Sequence, residues 1–420
     1  MSSTPIVPHV TSEIGNLEAV ILHTPGPEVE NMTPGNAERA LYSDILNLPV
    51  AIEEYQQLSG VLNKVSKTFQ VKDLLTEILI DPDIKVSLVE RICTHEKVLN
   101  IKEDLLSLNN KELAAQLIEG VALKRDSLTT FLSDERYALR PLHNFFFTRD
   151  ASVTVYNQIM ISKMANKVRE RESIIMDAIF NYSPHFKTSI INPMNTWHVG
   201  TETFIEGGDV LIARDDILII GNGTRTSTQG IDFLAEQIKT QKGKKHIVVQ
   251  QLPESPESFI HLDMIFTLLD RDTCMIYEPL LRQENSYATI LMTIENGVVK
   301  EISRQPGLLQ CLKSLGMDLK PVPCGGTDLW QQEREQWHSG ANFFAHGPGK
   351  LIGYARNVHT LEALNQAGFS IIKAADVISN KTDLSDYEKY VITIEGSELP
   401  RGGGGARCMT MPVRRSKVNW

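Results

Sequence analysis

The chain has 420 residues, of which 42% are hydrophobic and 22% charged, and its formal net charge is −10 at pH 7. This is the composition of a globular protein with a large core, and the acidic balance argues against a nucleic-acid partner held by phosphate neutralisation. No apolar run is long enough to span a bilayer, and the first residues lack the basic flank and apolar stretch of a signal peptide, so no membrane is expected either.

In chain order, residues 16–23 read as a buried strand entering a turn at Pro25-Gly26. Residues 38–62 have helical spacing, with Ile45, Leu46, Val50, Ile52 and Tyr55 among the apolar positions. From 71 to 139 apolar residues recur at helical spacing: Leu74, Leu75, Ile78 and Leu79, then Val86, Leu88, Val89 and Ile92, then Leu113, Leu117, Ile118 and Val121. Asp81-Pro82 and Asn109-Asn110 punctuate them, the latter as a helix start. Strand-like alternation is absent, so residues 71–141 are expected to be an all-helical domain inserted in an α/β body made of 1–70 and 142–420. Beyond Asn144 a pattern of hairpin, polar loop and helix repeats. The hairpins are residues 152–162, 210–221 and 342–354, and the helices lie near 169–179, 228–238 and 360–367. Short strands at 273–277 and 390–394 are candidates for two more units. Recurrence at this scale points to modules around a common axis, with loops from one face meeting at its centre.

The cysteines, Cys93, Cys274, Cys311, Cys324 and Cys408, are odd in number and widely spaced. That is neither a disulfide framework nor a set of paired zinc ligands, and a reducing cytoplasm is the simplest location. Cys408 differs from the rest. It follows four consecutive glycines, Gly402, Gly403, Gly404 and Gly405, and adjoins Arg407, whose charge favours a thiolate. The reading is a nucleophile on a mobile loop. Three other loops carry polar groups: Asn144-Phe-Phe-Phe-Thr-Arg-Asp150, Glu206-Gly-Gly-Asp209 and His261-Leu-Asp263. In the last, a two-residue period would put both side chains on one side of an extended segment. Arg169 and Arg225 stand in the polar loops of successive repeats, though Arg169 among Glu170, Arg171 and Glu172 also reads as a solvated helix face. Together these supply a thiol, a histidine base, a carboxylate to orient it and further carboxylates. Surplus carboxylates match the paired N–H donors of a guanidinium, and the arginines match a carboxylate at the other end of the same molecule. A metal reading through His261, Asp263, Glu206 and Cys408 fits by ligand type but not by spacing.

These motifs, with Ser12-Glu-Ile-Gly and Lys167-Val-Arg-Glu-Arg-Glu-Ser, stand in an order that resembles the arginine deiminases, a branch of the guanidino-group-modifying enzymes. The resemblance implies a five-fold pseudosymmetric α/β propeller with an inserted all-helical domain. It implies hydrolysis of L-arginine to L-citrulline and ammonia, with no metal and no organic cofactor. Cys408 would be the nucleophile, His261 the acid and base, Glu206 its orienting partner, and Asp150 and Asp263 the guanidinium ligands. Arg169 and Arg225 would clamp the α-carboxylate, with Asn144 and the backbone at Leu41 near the amino-acid end. A homo-oligomer, dimer or tetramer, is expected. Some relatives carry a larger polar residue, including arginine, where this chain has Gly403, which puts an arginine gate in doubt here. Agmatine deiminase and amidinotransferase-like enzymes share the chemistry, but agmatine lacks the carboxylate that two arginines would serve. A catalytically silent binding protein would be expected to have lost one of the five reactive groups.

Overall fold

The run Leu17–Leu22 is apolar on both faces, and it forms the middle strand of a three-stranded sheet. Lys67–Gln70 pairs parallel with it after the helix Leu48–Val65, and Met411–Arg415 pairs antiparallel on its other side. The computed structural model describes residues 4–32, 42, 44–195, 200, 202–281 and 287–420. Among these, the same kernel recurs: a middle strand with an antiparallel neighbour on one side and a parallel one on the other. It is built from Ser152–Val155, Gln158–Ile161 and Ser189–Ile191, and from Val210–Arg214, Ile217–Asn222 and Lys245–Gln251. It appears again in Phe266–Asp270, Thr273–Ile276 and Lys320–Pro323, and in Phe344–Gly347, Lys350–Tyr354 and Tyr390–Ile394. The fold is thus mixed α/β. The three expected hairpins are present. Residues 273–277 do centre a further unit, but 390–394 does not. Tyr390–Ile394 is buried throughout between two parallel neighbours, Lys350–Tyr354 and Ser370–Lys373, and so belongs to the third hairpin's sheet.

Residues 71–139 form the helices Val71–Ile78, Pro82–Glu96, Lys102–Ser107, Asn110–Glu119 and Leu128–Phe131. Asn109 starts one of them with a capping box to Glu112, and Asp81 caps another ahead of Pro82. The stretch is not wholly helical: Val121–Ala122 pairs with Tyr137–Leu139 in a small ribbon. Val86, expected on the apolar face, is exposed. The helix expected over 38–62 begins only at Leu48, where Asn47 accepts the Val50 N–H and Pro49 occupies the first turn. Residues 38–41 and 43 lie outside the described residues.

One contact links these helices to the chemistry. Leu75, Leu88, Ile92, Leu113 and Leu117 share a core with Ile174, Ile175 and Ile179 of the helix Glu170–Tyr182, whose other side meets Ile159 and Ile161 of a sheet. That helix is buried continuously from Arg171 to Phe180, so Arg169, Arg171 and Glu172 are interior groups and not a solvated face. Among the described residues no helix is long and apolar enough to cross a membrane, and all five cysteines are buried and free.

Candidate active site

The site forms where four turns are pressed together at the ends of neighbouring sheets, and glycine permits the approach. A Cβ on Gly207 would lie 2.0 Å from the Arg149 carbonyl oxygen, and one on Gly208 would lie 2.4 Å from Nδ1 of His261. The glycine pair therefore makes a short 3-10 turn, Gly207–Asp209, and not a bulge. Asp209 Oδ1 accepts the Leu262 N–H at 2.8 Å, and burial raises the Asp209 carboxyl to about 7. Asp209 thus holds the turn that carries its neighbours. His261 is extended, but Leu262–Met264 is again a 3-10 turn. The two-residue period does not apply to Asp263, although both side chains belong to the site.

His261 donates from Nε2 to Glu206 Oε2 at 3.0 Å, and its Nδ1 lies 3.7 Å from Asp150 Oδ1. Burial opposes its charge, but Asp150 and the hydrogen bond to Glu206 dominate and raise the imidazolium to about 9. Burial likewise opposes ionisation of Glu206, yet Arg225 and His261 bring it down to about 2. The second oxygen of Glu206 accepts the Ala165 N–H at 3.0 Å and stands 3.6 Å from Arg225.

Arg169 and Arg225 do reach the site, and both are engaged by protein carboxylates. Arg169 binds Asp150 at 2.7 Å and Glu172 through Nε and Nη2, the closest at 2.8 Å, and also donates to the Asn144 carbonyl at 3.4 Å. Glu172 was not singled out from sequence; its spacing, three residues after Arg169 on a helix, was the available signal. Leu41 lies outside the described residues.

Cys408 Sγ is 3.6 Å from Asp263 Oδ2. The same carboxylate takes a 2.7 Å hydrogen bond from Arg407, which also binds Glu13 through Nε and Nη2 at 3.1 Å each. Arg407 is therefore largely spent on carboxylates. Burial, then Asp263 and Asp150, hold the Cys408 thiol well above its usual range and outweigh the opposing pull of Arg407. The glycine run is packed too. A Cβ on Gly404 would lie 2.5 Å from the Phe147 ring, and one on Gly405 would lie 2.7 Å from Asn342. Tyr354 donates to the Gly404 carbonyl at 3.0 Å. Gly403 alone has open space, in a left-handed conformation at φ 84°.

Asn144, Asp150, Arg169, Arg225, His261 and Cys408 line one small inner cavity of about 20 Å³, together with Phe147, Ile260, Gly402, Gly403 and Gly404. An outer chamber of about 330 Å³ shares Arg225, Ile260, Gly402 and Gly403 with it. The inner space holds about one water, so a larger ligand must displace the glycine loop or the side chains at this neck. Asp150, Glu206 and His261 offer metal-ligating atoms within 4.8 Å of one another, a different set from the one read in the sequence. Arg169 and Arg225 beside these carboxylates, and a cationic imidazole, make it a poor place for a dication.

The arginine deiminase family model matches residues 38–415. An arginine deiminase of Bacillus cereus is 33% identical, the alignment covering 98% of this chain and 99% of that one. One from Borrelia duttonii is 32% identical, covering 98% of each. Among solved structures, the N-terminal domain of ArgZ, a cyanobacterial arginine dihydrolase, superposes with a TM-score of 0.52 at 14% identity over 94% of this chain and 97% of that one. SxtG, an amidinotransferase from Microseira wollei, gives 0.53 at 14% identity over 98% of each.

Two outcomes are expected. Glu206→Gln removes a charge and an acceptor from His261, so its imidazole titration, followed by NMR, moves down from about 9; an unmoved midpoint would show that Asp150 and Asp209 set it without Glu206. Gly404→Ala drives a methyl into Phe147, whereas Gly403→Ala meets no atom within 4 Å and carries only left-handed strain of about 1–2 kcal/mol. Thermal melting and turnover should therefore fall much more in the first variant, and equal losses would contradict the packing described.

Proposed function

The chain belongs to the arginine deiminase family, and from that premise we propose that it hydrolyses L-arginine to L-citrulline and ammonia through a covalent intermediate on Cys408. The observation that carries this reading is the placement of the Cys408 sulfur 3.6 Å from Asp263, in a cavity that also presents Asp150 and a cationic His261. Asp150 and Asp263 hold the edges of the substrate guanidinium. The Cys408 thiolate attacks the guanidinium carbon and forms a C–S bond. The C–N bond then breaks as His261 gives its proton to the departing ammonia, leaving a thiouronium. Neutral His261 takes a proton from water, hydroxide adds to the same carbon, and C–S cleavage releases the thiolate and a protonated ureido group, which gives its proton to the released ammonia or solvent and leaves citrulline. Glu206 keeps the imidazole oriented and protonated at the start.

Arg169 and Arg225 clamp the α-carboxylate, with Asn144 and Leu41 nearby. For this, Arg169 exchanges Asp150 for the substrate carboxylate as Asp150 takes up the substrate guanidinium. A guanidine without a carboxylate has nothing to offer Arg169 in return, which disfavours agmatine. The substrate cation also cancels the field of Asp150 and Asp263 and draws the thiol to thiolate. Five sheets sharing one kernel, with residues 71–141 inserted between two of them, support a five-bladed α/β propeller. The working form is a cytoplasmic dimer or tetramer with no cofactor.

Incubation with L-arginine should yield equal amounts of citrulline and ammonia, little or no product from agmatine, and none with Cys408→Ala. Native protein that leaves arginine untouched defeats the proposal, and amidino transfer to an added amine in preference to water would make it an amidinotransferase. An unreactive guanidinium carboxylate should also lower the apparent pKa at which Cys408 is alkylated. A profile that ligand leaves in place would reject the substrate-assisted ionisation.

A further inference from the structure

Asn342 lies in the turn between the helix Leu329–Trp337 and the strand Phe344–Gly347, and it is buried. No motif in the sequence drew attention to it. Its carbonyl oxygen accepts two backbone N–H groups, from Arg407 at 2.9 Å and Cys408 at 3.3 Å. Its amide nitrogen faces the Asp263 carbonyl at 3.1 Å, the Cys408 sulfur at 3.2 Å and, more distantly, the Met264 sulfur at 3.7 Å. This orientation is set by chemistry. Turning the amide over would point its N–H groups at two backbone donors and its oxygen at a carbonyl and a sulfur. With one amide proton on the Asp263 carbonyl, the other has two sulfurs within reach, and the Cys408 sulfur is the nearer.

That direction matters because of what else surrounds the thiol. Asp263 and Asp150 oppose a negative sulfur, burial opposes it further, and Arg407 is shared between Glu13 and Asp263. A neutral N–H donor favours the thiolate without adding a charge that would repel a cationic substrate. The Gly405 backbone assists from the same loop. We propose that Asn342 is a catalytic residue: its side-chain N–H stabilises the Cys408 thiolate while its carbonyl oxygen fixes the backbone of the nucleophile loop. The proposal rests on the reading of Cys408 as the nucleophile.

The test compares native protein with Asn342→Ala and Asn342→Asp. Alanine removes both functions. Aspartate keeps an acceptor for the Arg407 and Cys408 N–H groups and puts a charge where the donor was. The readout is the pH dependence of iodoacetamide alkylation at Cys408, followed by mass spectrometry with no substrate present. The apparent thiol pKa should rise by about one unit or more in Asn342→Ala and further in Asn342→Asp. With L-arginine, kcat should fall at least about tenfold, while KM stays within about threefold. If Asn342 only anchors the loop, the neutral variant Asn342→Ala keeps the native thiol pKa, and that result overturns the proposal; the rise in Asn342→Asp, which the added charge causes in either case, serves to show that the position faces the sulfur. Should the alanine variant not fold, Asn342→Ser, which is neutral and too short to reach the sulfur, is read in the same way. Since alkylation needs no turnover, a native protein inactive on arginine would sink the functional reading and leave this comparison intact.

Discussion

A buried guanidinium holds the site together. Arg407 reaches Glu13 with two nitrogens and Asp263 with the third, and none of the three is appreciably exposed. Removing one partner of such a buried pair typically costs about 3–5 kcal/mol, because the others are left charged in a poor solvent. Here the geometry joins the Ser12-Glu-Ile-Gly turn, the His261–Asp263 turn and the nucleophile loop at one point. Burial opposes ionisation of Glu13, and Arg407 and Arg149 still hold it down at about 2, so the cluster stays ionised across the ordinary pH range. Cys408 is the next residue, and its position follows from that of Arg407.

Around this anchor the charges follow a consistent plan. The carboxylates Asp150, Glu206, Glu172 and Asp263 outnumber what one histidine requires, and resident cations engage each of them: Arg169, Arg225, His261 and Arg407. The pairing is incomplete, since Asp150 Oδ1, His261 Nδ1 and Arg225 Nη1 are buried without a hydrogen-bond partner. This arrangement makes recognition an exchange of ion pairs and not a simple addition. The helices between Val71 and Phe131 take part at a distance, since they pack on the buried helix that follows Arg169.

Much of this was legible in the sequence, because the reactive groups sit in short loops whose polar residues interrupt otherwise apolar runs. The three hairpins and the capped helices near Asn109 and Asp81 follow from local pattern alone. What escaped was what depends on distant partners. Phe266–Asp270 is buried throughout, but its Thr267 and Asp270 break the apolar run and it follows directly on His261-Leu-Asp263, which masked it. Tyr390–Ile394 has a strand's composition, and only its two parallel neighbours assign it to a sheet. Asn342 and Glu13 are ordinary polar residues until the chain brings Arg407 and Cys408 to them. The four glycines looked like slack, yet Gly402, Gly404 and Gly405 are small because Phe146, Phe147 and Asn342 stand against them. A glycine chosen for closeness and one chosen for freedom are the same letter.

The pairing of Leu17–Leu22 with Met411–Arg415 also bears on how the molecule comes into being. During synthesis the earlier strand is made several hundred residues ahead of the later one, so one of its edges stays unmatched until that partner emerges. Cys408 is made just ahead of that partner strand. A nascent chain therefore lays down the strands of the four other kernels before the thiol that faces Asp263 exists.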